Sequence, residues 1–334
     1  MHFRWLQRTL QDFHRLVRAL LSLMPMARKL RFMRKPNSTF EVTTRTLQGR
    51  LLLRPSKELN AIIIGILGRA LALYPVMLHL VVVASNHIHM LITAENVRQL
   101  ADFMRFVNSN IAKEAGILHR WKEKFWGRRY TSLDVLDDKK MIERAAYLLS
   151  HGCKEGLVLR PQDWPGVNCV EAVTRGKPLK GVWYDRTRQY EAARSGQEVS
   201  CRDFATEYEF ELSPLPCFAG LSAGQQRAQY RAMVRDIEEL AKKQVAKAGR
   251  RVMGASRVRA EDPHRRPSKM EKSPAPLCHC SDPEMWKRYR DDYRWFAAEY
   301  RAASRRLRAG EKDVKFPENC FLPALAFNGL EAPG

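Results

Sequence analysis

The stretch from residue 76 to residue 93 limits the fold of this chain more than any other. Residues 76–84 are an almost unbroken apolar run of strand length, and from His87 onward the pattern alternates through Ile88, His89, Met90, Leu91 and Ile92. Ser85-Asn86 between the two has the length and chemistry of a tight turn, so the pair predicts a β-hairpin. A run that is apolar at every position has no solvent face and belongs in the middle of a sheet. Side chains two apart in a strand share a face. Ile88, Met90 and Ile92 therefore form one apolar face of the second strand, and His87, His89 and Leu91 the other.

The flanking segments supply the rest of a domain. Residues 39–46 alternate and are β-branched, which predicts a strand. Residues 58–74 carry Leu59, Ile62, Ile63, Ile66, Leu67 and Ala70 at helical spacing until Pro75 stops them. A second helix is predicted over 96–118, with Leu100, Met104, Val107 and Ile111 on one stripe. A strand over 128–136 and a helix over 137–151, closed by Gly152, complete the set. The order strand, helix, strand, strand, helix, strand predicts an α+β domain of ferredoxin-like split βαβ type with an antiparallel sheet and an extra helix behind it. That fold hosts many functions and proves none.

Outside this domain the texture changes. Residues 1–36 hold nine Lys or Arg against Asp12 alone and are expected to form a basic N-terminal arm. Residues 37–175 form the expected catalytic domain. Residues 176–334 are expected to be a basic, mainly helical C-terminal extension, with helices over 223–248 and 283–309. Residues 250–281 mix Pro, Ser, Arg and Lys without periodicity, the composition of a flexible linker.

With 58 Lys and Arg against 36 Asp and Glu, the net charge is +22, and a polyanion such as nucleic acid is the expected partner. Seven cysteines, an odd number, do not make a disulfide framework, and they imply a reducing cytoplasm. Cys278-His279-Cys280 lacks the second half that a structural zinc site needs. The apolar run over 19–27 is too short to span a bilayer and contains Pro25. A cytoplasmic, nucleoid-associated protein with no membrane partner is expected.

His87 and His89 on one face of a strand can reach a single ion. The helix over 137–151 adds to this: Met141, Ile142, Ala145, Leu148 and Leu149 fall on one side, while Lys140, Glu143, Arg144, Tyr147, Ser150 and His151 fall on the other. A core tyrosine would side with the leucines, so Tyr147 at the centre of the polar face reads as a nucleophile, and His151, one turn on, as a third nitrogen ligand. Three histidines with open positions make a catalytic site for Mg²⁺ or Mn²⁺ that would polarise a phosphate. His79, between Leu78 and Leu80, reads as a satisfied core histidine. Tyr130 is the rival nucleophile; beside Trp126, Arg128 and Arg129 it suits base stacking and phosphate contact, or simple packing on the core.

At these residues the chain resembles the HUH superfamily, in particular the single-tyrosine bacterial transposases and their REP-associated relatives. The likeness rests on Ser85-Asn86-His87-Ile88-His89-Met90-Leu91, Phe125-Trp126-Gly127-Arg128-Arg129-Tyr130, Ala146-Tyr147-Leu148, the segment from His151 through Lys154 to Val158, and Asp163-Trp164-Pro165, in that order. It implies that His87 and His89 bind a divalent metal ion and that Tyr147 attacks single-stranded or hairpin DNA, giving a 5′-phosphotyrosine and a free 3′-OH. His151 stands where relatives commonly carry Gln or Asn. His151-Gly152-Cys153 also departs from the Asn-Pro-Val that relatives often show. Trp126, Arg128, Arg129, Tyr130 and Lys154 are the expected DNA contacts. Relatives include dimers that exchange the tyrosine helix as well as monomers, so a homodimer is one expected state. The alternatives are a non-catalytic DNA or RNA hairpin-binding protein that keeps the fold, and a metal-dependent phosphoester hydrolase that uses water.

Overall fold

The computed structural model describes residues 29–249, 251–268 and 276–323. Most of the expected basic arm lies outside these residues. Met1–Arg31 form one unit and the chain from Phe32 onward forms another. All that follows concerns the second unit.

Its elements begin with β1 (Ser38–Arg45), α1 (Lys57–Leu73), β2 (Met77–Ala84), β3 (His87–Ala94), α2 (Val97–Leu118), β4 (Thr131–Asp134) and α3 (Asp138–Leu149). The strands pair antiparallel in the order β2-β3-β1-β4, the ferredoxin-like arrangement that the element order predicts. The helices start where side-chain caps satisfy their first free amides: Ser56 accepts from Leu59, Asn96 from Gln99 and Asp137 from Lys140. β4 is shorter than the predicted 128–136, because Arg128 and Arg129 precede the ladder in an exposed turn.

The sheet is buried on both faces. On one, Phe40, Val42, Ile88, Met90 and Ile92 pack with Ile63, Ile66 and Leu67 of α1 and Phe103, Met104 and Val107 of α2. On the other, Leu80, Val82 and Leu91 pack with Met141, Ala145, Leu148 and Leu149 of α3. Ile142, which helical projection puts with that apolar side, is 39% exposed at its margin. His79 is the satisfied core histidine expected, its Nε2 at 2.8 Å from Thr93 Oγ1 and its Nδ1 at 3.2 Å from the Ser213 carbonyl.

Beyond α3 come α4 (Val170–Arg175) and, within the expected extension over 176–334, β5 (Leu179–Tyr184), α5 (Arg186–Arg194), β6 (Ala205–Phe210), α6 (Ala223–Ala248), α7 (Ala255–Ala260) and α8 (Pro283–Arg308). Helices dominate it, but β5 and β6 form an antiparallel ribbon that periodicity alone leaves as polar loop. The ribbon lies on α1, where two glycines let the backbones meet: a Cβ on Gly65 would stand 2.1 Å from the Val182 carbonyl carbon, and one on Gly181 would stand 2.3 Å from the Ala61 oxygen. Leu215, Phe218, and Tyr230 and Val234 of α6 fill out the core beneath α3.

Within the stretch 250–281, expected to be a flexible linker, residues 251–268 make defined contacts with the rest of the chain. Met253 and Gly254 donate to the carbonyls of Gly156 and Leu157, Leu51 donates to the Arg265 carbonyl, and Val258 of α7 is 2% exposed. Low-complexity composition hides this segment because its partners are backbone groups distant in sequence. Residues 250 and 269–275 lie outside the described residues. Among the described residues no helix is long and apolar enough to cross a membrane.

Gly65→Ala is expected to lower the unfolding free energy by about 1–3 kcal/mol or more, because the new methyl meets backbone that cannot rotate away. Gly220→Ala, with nothing within 4 Å of the added carbon, should stay within about 0.5 kcal/mol of wild type; urea titration of both measures the contrast. A pH effect is also expected at His119, which caps α2. Burial first, then the nearby charges of Arg54 and His264, push its imidazole down to about 4. The unfolded chain takes up this proton below its ordinary pKa near 6.5 while the folded chain does not, so stability present above that pH is lost as pH falls towards 4. His119→Gln should flatten part of the fall in melting temperature between pH 6.5 and 4.

Candidate functional site

The pleat of β3 sends His87 and His89 to the face that α3 covers, and pairing with β1 sets His89 opposite Thr43 and His87 opposite Arg45. α3 ends at Leu149, and the next turn brings His151 back over the strand. Gly152 follows in the left-handed region at φ +89°, where an added Cβ would lie 2.8 Å from the Trp164 ring. That crowding explains why this chain carries glycine after His151: the backbone turns sharply under the buried indole. Trp164 is held in turn by its Nε1, which donates to the Val83 carbonyl at 2.9 Å.

Among the described residues, His87, His89 and His151 are the one group whose ligand atoms all lie within 4.8 Å of one another. Each ring has its Nδ1 occupied elsewhere. His87 Nδ1 donates to Asn86 Oδ1 at 2.6 Å, His89 Nδ1 to Glu41 Oε1 at 3.0 Å, and His151 Nδ1 to the Tyr147 carbonyl at 3.1 Å. These oxygens can only accept; the Asn86 amide is oriented by Nδ2, which donates to the Gly49 carbonyl at 3.0 Å. The proton of each neutral ring therefore sits on Nδ1, leaving the Nε2 lone pairs free.

Burial is the largest cause holding all three imidazoles below their ordinary range. For His87 the neighbouring His89 and His151 add to it; for His89 the Glu41 carboxylate partly opposes it. His151 comes down to about 3, with His89 and Lys154 contributing after burial. The rings are thus neutral at pH 7, the form that ligates metals. His87 Nε2 and His151 Nε2 stand 3.2 Å apart, with no proton between them in these tautomers. Two lone pairs so placed repel unless a cation lies beside both, and the spacing suits two nitrogens each about 2.1 Å from one ion. The donor set fits a divalent ion with positions left open.

Tyr147 of α3 lies against this trio, its ring centroid 5.0 Å from that of His151 and 5.7 Å from that of His89. Two cations flank the phenol: Arg144 Cζ is 3.8 Å and Lys154 Nζ 3.6 Å from the ring centroid. Arg144 also grips Glu41, with Nη2 at 2.8 Å from Oε1 and Nε at 2.7 Å from Oε2. Glu41 is 4% exposed; burial raises its pKa, but His279, His89 and Arg144 outweigh burial and hold the carboxyl well below the usual carboxylate range. Beside His87 and His151 opens a mostly apolar cavity of about 280 Å³, walled by Trp164, Leu157, Met253 and Val258. Sequence reasoning missed Glu41 altogether; an acidic residue in an alternating strand reads as a solvent-facing position.

Other expected site residues fall elsewhere. Tyr130 is 7% exposed and packs in the core on the opposite face of the sheet, so it offers no stacking surface and lies away from the histidines. Trp126 is half-buried against the same core, with its Nε1 donating to the Asn108 carbonyl at 2.8 Å. Arg128 and Arg129 are exposed. Among the described residues, Cys278, His279 and Cys280 belong to no group of three or more that could hold a metal, and all seven cysteines are free thiols.

No protein-family model and no curated protein matches this sequence. Solved structures resemble it slightly. One is the REP-associated tyrosine transposase bound to a REP hairpin, at 16% identity and TM-score 0.36, covering 45% of this chain and 87% of that one. Another is a protein from Deinococcus radiodurans R1 described as a transposase, at 13% identity and TM-score 0.24, covering 37% of this chain and 95% of that one. Likeness at these scores is too slight to assign a function, which rests on the chemistry of the site.

Proposed function

We propose that this protein is a metal-dependent DNA strand transferase that cuts and rejoins single-stranded DNA through a covalent link to Tyr147. The observation that carries the reading is the convergence of three proton-free imidazole nitrogens beside a tyrosine flanked by two cations. A histidine cluster alone would suit many metalloenzymes, and a tyrosine alone would suit none in particular. Together they supply a phosphate-activating centre and an oxygen nucleophile within one site.

His87, His89 and His151 would hold the ion, Mg²⁺ or Mn²⁺, and when bound it would polarise a phosphodiester. The protein's own groups do the rest. Tyr147 loses its phenolic proton and its oxygen forms a bond to phosphorus as the bond to the 3′-oxygen breaks; the 3′-oxygen takes up a proton. One phosphoester replaces another, so strand joining by the reverse step needs no nucleotide triphosphate. Arg144 and Lys154, fixed against the ring, stabilise the negative charge that gathers on the phosphate oxygens.

The remaining surface suits a single strand or hairpin. Exposed Arg128 and Lys154 lie near the site in sequence, and α8 turns Trp286 and Trp295 outward at 38% and 63% exposure, with Arg290 Cζ 5.3 Å from the Trp286 ring. Its other aromatics face inward: Tyr289 and Phe296 are buried, with Phe32 ring centroids 5.4 and 5.0 Å away. The helix thus divides its aromatics between packing and a cationic, stacking-competent face.

Wild-type protein incubated with single-stranded oligonucleotides and Mn²⁺ is expected to give a protein-linked product on a denaturing gel. Tyr147→Phe should bind the same DNA and give none, whereas Tyr130→Phe should still link; the reverse pattern would move the nucleophile to Tyr130, and no adduct from wild type with retained binding would favour a non-catalytic hairpin binder. Separately, replacing His87 and His89 together with Ala should abolish both the adduct and measurable Mn²⁺ binding by calorimetry. His151→Ala should weaken Mn²⁺ by roughly tenfold or more, with His151→Gln closer to wild type. Full activity in excess EDTA would remove the metal from the mechanism.

A further inference from the structure

Glu41 is a buried carboxylate on which three elements converge. It belongs to β1, two residues from Thr43, which faces His89. His89 reaches it from β3 and Arg144 from α3. The third partner is His279, whose Nε2 lies 2.7 Å from Oε2. A carboxylate only accepts, so the His89 nitrogen bonded to it carries a proton, Arg144 bonds it through Nη2, and His279 Nε2 stands in close polar contact with Oε2. For His89 this places the proton on Nδ1 and leaves Nε2 free. For Arg144 it fixes the guanidinium beside Glu41 and Tyr147 together.

His279 comes from far along the chain, yet its position is tightly held. Its backbone N–H donates to the Asp134 carbonyl at 2.7 Å and its carbonyl accepts from Leu136 at 2.9 Å, so the segment adds to the end of β4 as a parallel bridge at Val135. Ser281 ties the same segment to Asp137, the cap of α3, with its N–H at 2.5 Å and its Oγ at 2.9 Å from the carboxylate oxygens. Tyr289 of α8 donates to Asp134 Oδ2 at 2.5 Å from within the core. The extension therefore delivers one side chain to a fixed point behind the metal-ligand histidine.

Resting on the metal reading above, we propose that Glu41 and His279 are a positioning pair for the site: His279 pins the Glu41 carboxylate, and Glu41 sets the tautomer of His89 and the place of Arg144. Neither touches the reacting atoms. The C-terminal extension thereby becomes part of the catalytic unit rather than an accessory to it. A buried carboxylate with one partner removed can rotate or tilt, and both groups it orients move with it.

The test uses the full chain. His279→Ala is expected to weaken Mn²⁺ binding about tenfold by calorimetry. It should also let His89 populate the tautomer protonated at Nε2, read from long-range proton to nitrogen-15 correlations of the imidazoles without any ion. His279→Gln, whose amide can donate to Oε2, should restore both towards wild type, and Glu41→Gln should perturb both at least as much as His279→Ala. A purely structural role would lower the melting temperature and leave the tautomer of His89 unchanged. Unchanged tautomer in His279→Ala and Glu41→Gln overturns the proposal. A wild type that binds no Mn²⁺ overturns the metal reading instead, and the tautomer comparison still decides the positioning role.

Discussion

The structure depends on β3 being buried on both faces. A strand in the middle of a sheet must satisfy two cores with one alternating sequence, and β3 does so by giving Ile88, Met90 and Ile92 to one and His87, His89 and Leu91 to the other. Leu91 anchors the second face in apolar packing, which fixes the register, because a slip of one residue would put both histidines into the core of α1 and α2. Everything functional follows from that register. Burial keeps the imidazoles neutral, the form in which they could hold a metal ion.

Burying polar side chains beneath a helix requires partners for them. An isolated ionised carboxylate in such a place would cost several kcal/mol, yet Glu41 lies under α3 at 4% exposure. Arg144 offsets much of that with two contacts, and the histidines on either side add to it. The network links β1, β3, α3 and the segment before α8, so the helix that carries Tyr147 is held by the same carboxylate that contacts His89.

The pattern of apolar residues made most elements legible. The hairpin, α1, α2 and α6 fall within a residue or two of where periodicity puts them, and the order of elements implies the sheet topology. The placement of Tyr147 on the polar face of α3 is also readable from spacing, whereas His151, expected on the same helix, lies in the turn after α3 ends at Leu149. The β5-β6 ribbon and the ordered path of residues 251–268 were not legible. Both are held by distant partners, the ribbon by a glycine contact with α1 and the path by backbone carbonyls of residues 156 and 157. Nothing in the composition of either segment records those contacts.

By itself the amino-acid sequence determined which side chains share a face: His87 with His89, and Arg144 with Tyr147, because strand and helix periods are set by backbone geometry. Tertiary structure decided which of these faces meet. It placed His151 Nε2 beside His87 Nε2, sent Tyr130 into the opposite core and brought His279 to Glu41 across more than half of the chain. Those outcomes depend on chain segments packing against one another, and the free energy of such contacts belongs to the pair rather than to either segment.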